Sequence, residues 1–529
     1  MSGFVQPCDE AVISAKGADA LCRAASRRWV LAATILGSSM AFIDGTVVNV
    51  ALAALQRDFN ATVADVQWVV EGYSLLLTSL LLVGGSLGDR YGRRRIFLLG
   101  VTVFSCASLL CALAANVQQL IAARALQGAG AALLVPGSLA IIGAAFEGES
   151  RGRAIGTWAG FTAITTAVGP VLGGWLIDHL SWRAIFLINI PVALAVWLIS
   201  SRHLAESRDS SETGRLDWFG AALVTVGLGA LVYGLIRASQ TGFHQATVLF
   251  SLAAAVLLLA TFLFLEARTN HPMLPLPLFR SRNFTAANLL TLLLYSALGG
   301  SLFFLPLNLI QVQGYGATAA GAALLPFVLI MFLLSRWAGG LVKRFGARIP
   351  LVIGPMIAAV GFGLLAVPDV GTNFWIGFFP AVLVLGLGMT ISVAPLTTTV
   401  MNAVPSQRMG VASGINNTVA RAASLLAIAV FGIVMLDVFG RVLDSRLSIL
   451  NAPLEVKQEI KDQRTRLAAI QIRKNASPAL RDEIRDAINQ SFIAGFRTIM
   501  LVGTVLAFAS GVISLLLIER TDRAGSQRS

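Results

Sequence analysis

The sequence predicts an all-α membrane protein whose fourteen helices form two six-helix bundles with a helix pair inserted between them. Three observations predict it. The chain of 529 residues is 56% hydrophobic and only 13% charged, with a mean hydropathy of +0.76, whereas roughly a quarter of the residues of a soluble domain are charged. Apolar runs long enough for a helix to cross a hydrocarbon core, about 20 residues, begin near Trp29, Gln67, Ile96, Gln119, Ala154, Ala184, Leu216, Ala246, Phe284, Ala319, Pro350, Phe374, Val411 and Phe492. Finally, the chain repeats itself weakly. Gly85-Ser86-Leu87-Gly88-Asp89-Arg90-Tyr91-Gly92-Arg93-Arg94, after the second run, returns after the tenth as Gly339-Gly340-Leu341-Val342-Lys343-Arg344-Phe345-Gly346-Ala347-Arg348.

Run length selects helices over barrel strands, which need only about 10 strictly alternating residues. The two copies of the repeat stand eight helices apart, so each half can be a six-helix bundle only if helices 7 and 8 are extra. This gives a tail at 1–28, a first bundle at 29–201, an inserted pair with flanking loops at 202–282, a second bundle at 283–518 and a tail at 519–529. Repeated bundles suit a transporter with a midplane site between its halves.

An even number of helices puts both tails on one side, and the net charge of +13 shows which. Segments on the tail side hold groups such as Arg90, Arg93, Arg94 and Arg95, or Lys343, Arg344 and Arg348, while the short loops opposite hold Arg57, Arg183 and Arg237. Positive charge gathers on the cytoplasmic side of membrane proteins. Both termini are therefore expected in the cytoplasm, and the basic balance needs no nucleic acid to explain it. The first 25 residues lack the compact apolar core of a signal peptide. Segment 441–491 departs from the pattern, with charges of both signs on the opposite side. Within it, Ser477-Pro478 followed by Leu480, Ile484, Ala487 and Ile488 reads as a capped amphipathic helix. A solvated connector, a substrate gate and a partner site are all open to that segment.

Charged side chains inside the membrane are functional candidates because each costs about 2.5–3.5 kcal/mol on insertion scales. Here they are Asp44, Glu71, Arg124, Arg336, Arg421 and Arg497. At 1.5 Å per residue, Asp44, Glu71 and Arg124 lie about 12, 6 and 8 Å inside the outer ends of helices 1, 2 and 4. Two acids and an arginine at similar depth can hold a proton whose affinity depends on which side water reaches. Arg421 stands among Asn416, Asn417 and Thr418, where it either lines a cavity or serves helix packing. Gly169-Pro170 is expected to bend helix 5. Cys8, Cys22, Cys106 and Cys111 show no metal-ligand spacing. A phosphate loop of the form Gly-x-x-x-x-Gly-Lys-Ser/Thr is absent, which argues against ATP drive and implies no cofactor.

GGSLGDRYGRRR, Gly84 to Arg95, closely resembles the signature loop between the second and third helices of major facilitator transporters. The resemblance implies a gate built from Gly85, Gly88, Asp89, Arg90, Gly92, Arg93 and Arg94, with Asp89 near a neighbouring helix N-terminus. Lys343 replaces Asp89 in the second copy, so that half should lock less well. FIDGTVVNVAL (Phe42 to Leu52) resembles the acidic helix-1 motif of the fourteen-helix drug exporters. Arg124-Ala125-Leu126-Gln127-Gly128 resembles their arginine motif, and SWRAIFLINIP (Ser181 to Pro191) their loop into helix 6. Gly169, Pro170, Gly173 and Gly174 are similar to the exchanger motif of helix 5, although Thr165 stands where the family usually has glycine.

The resemblance implies the major facilitator fold and a proton-coupled multidrug exporter of the cell membrane. Its expected substrates are hydrophobic, cationic small molecules, moved by a monomer through alternating access. The rival in the same class is a dedicated exporter of one metabolite, lipid or antibiotic. A membrane enzyme would need a nucleophile with a base, or a His and acid cluster, and His179 beside Asp178 has no third partner in sequence.

Overall fold

The structure is a computed structural model that describes residues 18–146, 148–208, 217–269, 272, 274–404, 409–472 and 477–519. The start of the N-terminal tail, most of the C-terminal tail, Arg215 and Arg408 lie outside the described residues, as do the side chains of Arg336 and Lys343. The described residues are helical, with no strand among them. The long helices are α1 (Ala18–Phe59), α2 (Val63–Tyr91), α3 (Arg93–Leu113), α4 (Val117–Ala145) and α5 (Gly148–His179). They continue as α6 (Ala184–His203), α7 (Trp218–Thr241), α8 (Ala246–Glu266) and α9 (Arg282–Val312). Next come α10 (Ala317–Ala322 and Leu325–Phe345), α11 (Arg348–Leu365) and α12 (Phe374–Asn402). The last are α13 (Met409–Ile449) and α14 (Pro478–Leu517). Thirteen are straight enough to count as single membrane spans, and α2 makes fourteen as a span bent by 51° between Val63–Leu81 and Val83–Tyr91.

Local chemistry sets where these helices begin. Thr62 caps α2 through a reciprocal box with Asp65 (2.8 and 3.2 Å), Asn116 caps α4 and Asp217 caps α7. Such caps satisfy amide groups that the first turn of a helix leaves unpaired.

The side of the molecule at the Gly92 turn is called here the near face; the side at the turn between α1 and α2, where Gln471 meets Asn60, is the far face. Segment 441–491 is less a loop than the sequence suggests. Residues up to Ile449 continue α13, and the expected amphipathic helix is the first part of α14. Ser477 does cap it, accepting from the Leu480 amide at 3.3 Å. The helices continue because their apolar stripe does: Leu443, Leu447, Ile484, Ala487 and Ile488 are all buried, while the charges occupy the other face. Between them, a short helix Leu454–Asp462 and a 3-10 turn Arg464–Ala469 tuck Ile460, Leu467, Ala468 and Ile470 into the main core.

α7 packs against α8, α2 and α13. Leu228, Val232 and Ile236 of α7 share an apolar cluster with Ala64 and Leu75 of α2 and with Leu425 and Ala429 of α13.

Helix 5 does not break at its proline. α5 runs through Pro170 as continuous helix, and its glycines allow close approach of neighbouring helices. A Cβ at Gly173 would overlap Val47 of α1, one at Gly174 would overlap the backbone of Ala317 and Thr318 in α10, and one at Gly321 of α10 would overlap Pro170 O.

Candidate functional site

The densest polar network in the membrane core is built by five helices. Arg124 of α4 and Asp44 of α1 are 1% and 0% exposed, and Arg124 Nη1 donates to Asp44 Oδ2 at 2.5 Å. Gln127, one turn along α4 and on the same face, donates to Asp44 Oδ1 at 2.8 Å and accepts from Arg124 Nη1 at 2.7 Å. Its amide also donates to Ser108 Oγ of α3 at 2.8 Å, and Asn189 of α6 reaches the same hydroxyl at 3.3 Å. From α2, Val69 O accepts from Arg124 Nε at 3.1 Å. The guanidinium lies 4.3 Å from the Tyr73 ring centroid, and the Tyr73 hydroxyl donates to Ala41 O at 3.2 Å.

A buried ion pair survives in a low dielectric only when its remaining donors and lone pairs are matched. Here both carboxylate oxygens of Asp44 and two guanidinium nitrogens of Arg124 are bonded. Sequence reading paired Asp44 with Arg124 by depth and quoted Gln127 only inside a motif. Ser108 and Asn189 carried no signal of their own, because uncharged polar residues are common in membrane helices.

Glu71 does not join this network. It is fully buried, yet neither carboxyl oxygen has a hydrogen-bond partner. The reason is helical phase: Val69 and Tyr73 turn toward Arg124, and Glu71 lies about half a turn from both. It shares a face with Gln67, one turn away, whose amide donates to Ile428 O of α13 at 2.8 Å. The expected cluster of two acids and an arginine is therefore one acid paired and one acid apart, in the seam between α2 and α13.

Gln67–Ile428 is one of several links between early and late helices toward the far face. Gln311 of α9 donates to Gln56 of α1 at 2.8 Å. Asp178, at the end of α5, caps α10 in trans. Its carboxylate accepts from Ala317 N at 3.1 Å, Thr318 N at 2.8 Å and Thr318 Oγ1 at 2.6 Å. The cap position of α10 itself is Gly316, which has no side chain to offer. Toward the near face, by contrast, a Cβ at Gly156 or Gly160 of α5, or at Gly339 or Gly340 of α10, would meet nothing within 4 Å.

The signature loop closes on its own half. Asp89 pairs with the side chain of Arg93, the first residue of α3, at 2.7 Å. The loop is fastened to the end of α6 and the segment after it: Arg94 Nη2 donates to Ser201 O at 2.6 Å and Arg93 N to Ser207 O at 3.0 Å. Gly92 has φ +110°, and a Cβ there would also overlap Glu206. Gly85, Gly88 and Arg90 complete the turn without a bond across the halves among the described residues.

Two of the remaining candidates separate. Asn416 is bonded to α9, donating to Thr291 Oγ1 at 2.7 Å and to Asn288 Oδ1 at 3.2 Å. Asn417 is exposed and Arg421 partly so. Arg497 lies midway along α14, where its Nε donates to Ala366 O just after α11 at 3.0 Å. Cys106 and Cys111 are free, and no group of three potential metal ligands exists among the described residues.

A family model described as the Major Facilitator Superfamily matches residues 34–428. The tetracenomycin C resistance and export protein of Streptomyces glaucescens is 31% identical over 492 residues, covering 92% of this chain and 91% of that protein. Multidrug resistance protein Stp of Mycobacterium tuberculosis is 34% identical over 90% of this chain and 89% of its own. The methylenomycin A resistance protein of Bacillus subtilis is 35% identical over 77% of this chain and 87% of its own. Among solved structures, a bacterial homologue of the human lysosomal transporter Spinster superposes with a TM-score of 0.64 at 17% identity, covering 93% of this chain and 98% of that one.

Proposed function

The chain belongs to the Major Facilitator Superfamily, and on that premise we propose that it exports hydrophobic, drug-like molecules in exchange for protons. The relatives named for multidrug resistance and for antibiotic resistance or export support the drug-exporting part of this reading. The observation that carries the proton part is the unequal pair of buried acids. Asp44 is fixed by Arg124 and Gln127 inside the early helices, while Glu71 stands without a partner where α2 meets α13.

A carboxylate with neither counter-ion nor donor is costly in such surroundings. Glu71 is proposed to carry a proton while the far face is closed and to release it when the seam opens to water. Asp44 and Arg124 form the second station: any motion that separates them exposes an acid able to load a proton, and Gln127 keeps the acid positioned. Gly169, Pro170, Gly173 and Gly174 act as the far-face seam against α1 and α10, and the Asp89 loop as the near-face latch. With the Asp89–Arg93 pair inside the loop and the far face bonded, this conformation fits the state open to the near face.

The basic residues make that face the cytoplasmic one, so the state shown is the one that collects substrate. Two six-helix bundles rocking about the far-face seam would then deliver it outside, with α7 riding against α2 and α13 and α8 packed on α7. A monomer suffices for this cycle.

The test uses inside-out vesicles with an imposed pH difference. Wild-type protein is expected to concentrate ethidium in the lumen and to dissipate the pH difference as it does so. Glu71→Gln is expected to abolish both while retaining exchange of labelled for unlabelled substrate. Accumulation by Glu71→Gln at the wild-type rate would remove the acid from the proton path.

A further inference from the structure

Arg421, well inside the apolar part of α13, makes no hydrogen bond and no ion pair among the described residues. Its surroundings leave it little choice. It lies on the face of α13 that carries Leu425 and Ile428, at spacings of four and seven residues, and this face meets α2. Leu425 packs with Leu75 of α2 in an apolar cluster, and Ile428 O takes the Gln67 amide. The seam is thus sealed on the far side of Arg421, and Ile428 stands about 10 Å beyond it at 1.5 Å per residue.

On the near side the same face carries Asn417, one turn away and exposed, whereas Asn416 next to it is bonded to α9. The acid at comparable depth, Asp44, is already matched by Arg124 and Gln127. Glu71, the other acid of this seam, makes no hydrogen bond or ion pair with it, so the partly exposed Arg421 guanidinium is a place for an anion from outside the chain.

We propose that Arg421, with Asn417 beside it, is the subsite that receives the acidic group of an amphiphilic substrate entering from the near face. This deepens the export reading and rests on it. Acidic amphiphiles join the substrate class beside the cations that the sequence suggests. The guanidinium offers a fork of donors to a carboxylate, phenolate or sulfonate, and the Asn417 amide offers a further donor, while the packed Leu75 and Leu425 close the seam beyond them.

Three probes separate the possibilities in reconstituted vesicles: a fluorescent coumarin carboxylic acid, its uncharged amide, and ethidium. Arg421→Gln is expected to raise the KM for the acid about tenfold or more, the loss of a charge-assisted pair. The amide and ethidium should stay within about twofold, and Arg421→Lys should retain part of the acid transport. Wild-type protein that moves the amide and ethidium but not the acid overturns the subsite, as does an Arg421→Gln variant with unchanged KM for the acid. If Arg421 instead serves Glu71 as a counter-ion, all three probes fall together in Arg421→Gln and recover in Glu71→Gln/Arg421→Gln, which also overturns it. Wild-type protein that moves none of the three overturns the export reading itself, and the subsite with it.

Discussion

Asp44 and Arg124 hold each other in a place where neither could stand alone. Removing one partner of a buried pair leaves an uncompensated charge, at a cost of about 3–5 kcal/mol. Asp44→Asn and Arg124→Gln should each lower the thermal unfolding midpoint in detergent. The double variant, with two neutral amides that can still bond to each other and to Gln127, should recover much of that loss. None of the three should drive export with a pH difference, because the titratable acid or its switch is gone. A double variant that both refolds to full stability and transports normally would make the pair a structural tie alone. Gln127 is the residue whose part the pattern of charges conceals. Gln127→Leu is expected to slow export without abolishing it, since Arg124 still reaches Asp44 at 2.5 Å.

At the scale of elements, the contact of α5 with α10 sets how firmly the far face is shut. Gly174 lies against the backbone of Ala317 and Thr318, which has no side chain to move aside. Gly174→Ala should therefore pry the seam open, with a strain of about 1–3 kcal/mol. The measurable outcome is faster labelling of a cysteine placed in the seam by a membrane-impermeant reagent added outside. Asp178→Ala works on the same seam from its edge. It removes three bonds to the first turn of α10, a cap of about 1 kcal/mol, and should give a smaller shift in the same direction. Unchanged labelling in both would mean that the far-face closure rests on Gln67–Ile428 and Gln311–Gln56 instead.

For the molecule as a whole, the coupled question is how many protons one cycle carries. Asp44 and Glu71 are separate stations, so each can load independently. Two protons exchanged for one monovalent cation move one net charge, worth about 2.3 kcal/mol per 100 mV; one proton moves none. In vesicles without a pH difference, a membrane potential negative on the cytoplasmic side should then drive ethidium outward. No voltage-driven movement would reduce Glu71 to a structural or substrate-attracting acid. Asp89→Ala tests the other end of the cycle. The Asp89–Arg93 pair is local in this state, so the variant should reach the membrane and bind substrate from the cytoplasmic side, yet export slowly because the near face closes poorly.

The membrane helices and the membrane location follow from the chain alone, because lipid admits only backbone that satisfies its own hydrogen bonds and punishes nearly every buried charge. That penalty also marked Asp44, Glu71, Arg124 and Arg421 as residues to explain. Helix ends were harder to read: α13 and α14 run on past the apolar border to Ile449 and back to Pro478, because a helix follows its apolar stripe rather than its mean hydropathy. What each marked charge meets is a matter of rotation about helix axes, which spacing in one helix does not fix relative to another. Half a turn of α2 sends Tyr73 to Arg124 and leaves Glu71 in the seam. Ser108 and Asn189 join the site only because α3 and α6 bring them within reach of Gln127 and of each other. Arg421 makes no hydrogen bond or ion pair among the described residues for the same reason, since Asp44 is held by Arg124 and Glu71 on α2 forms no pair with it.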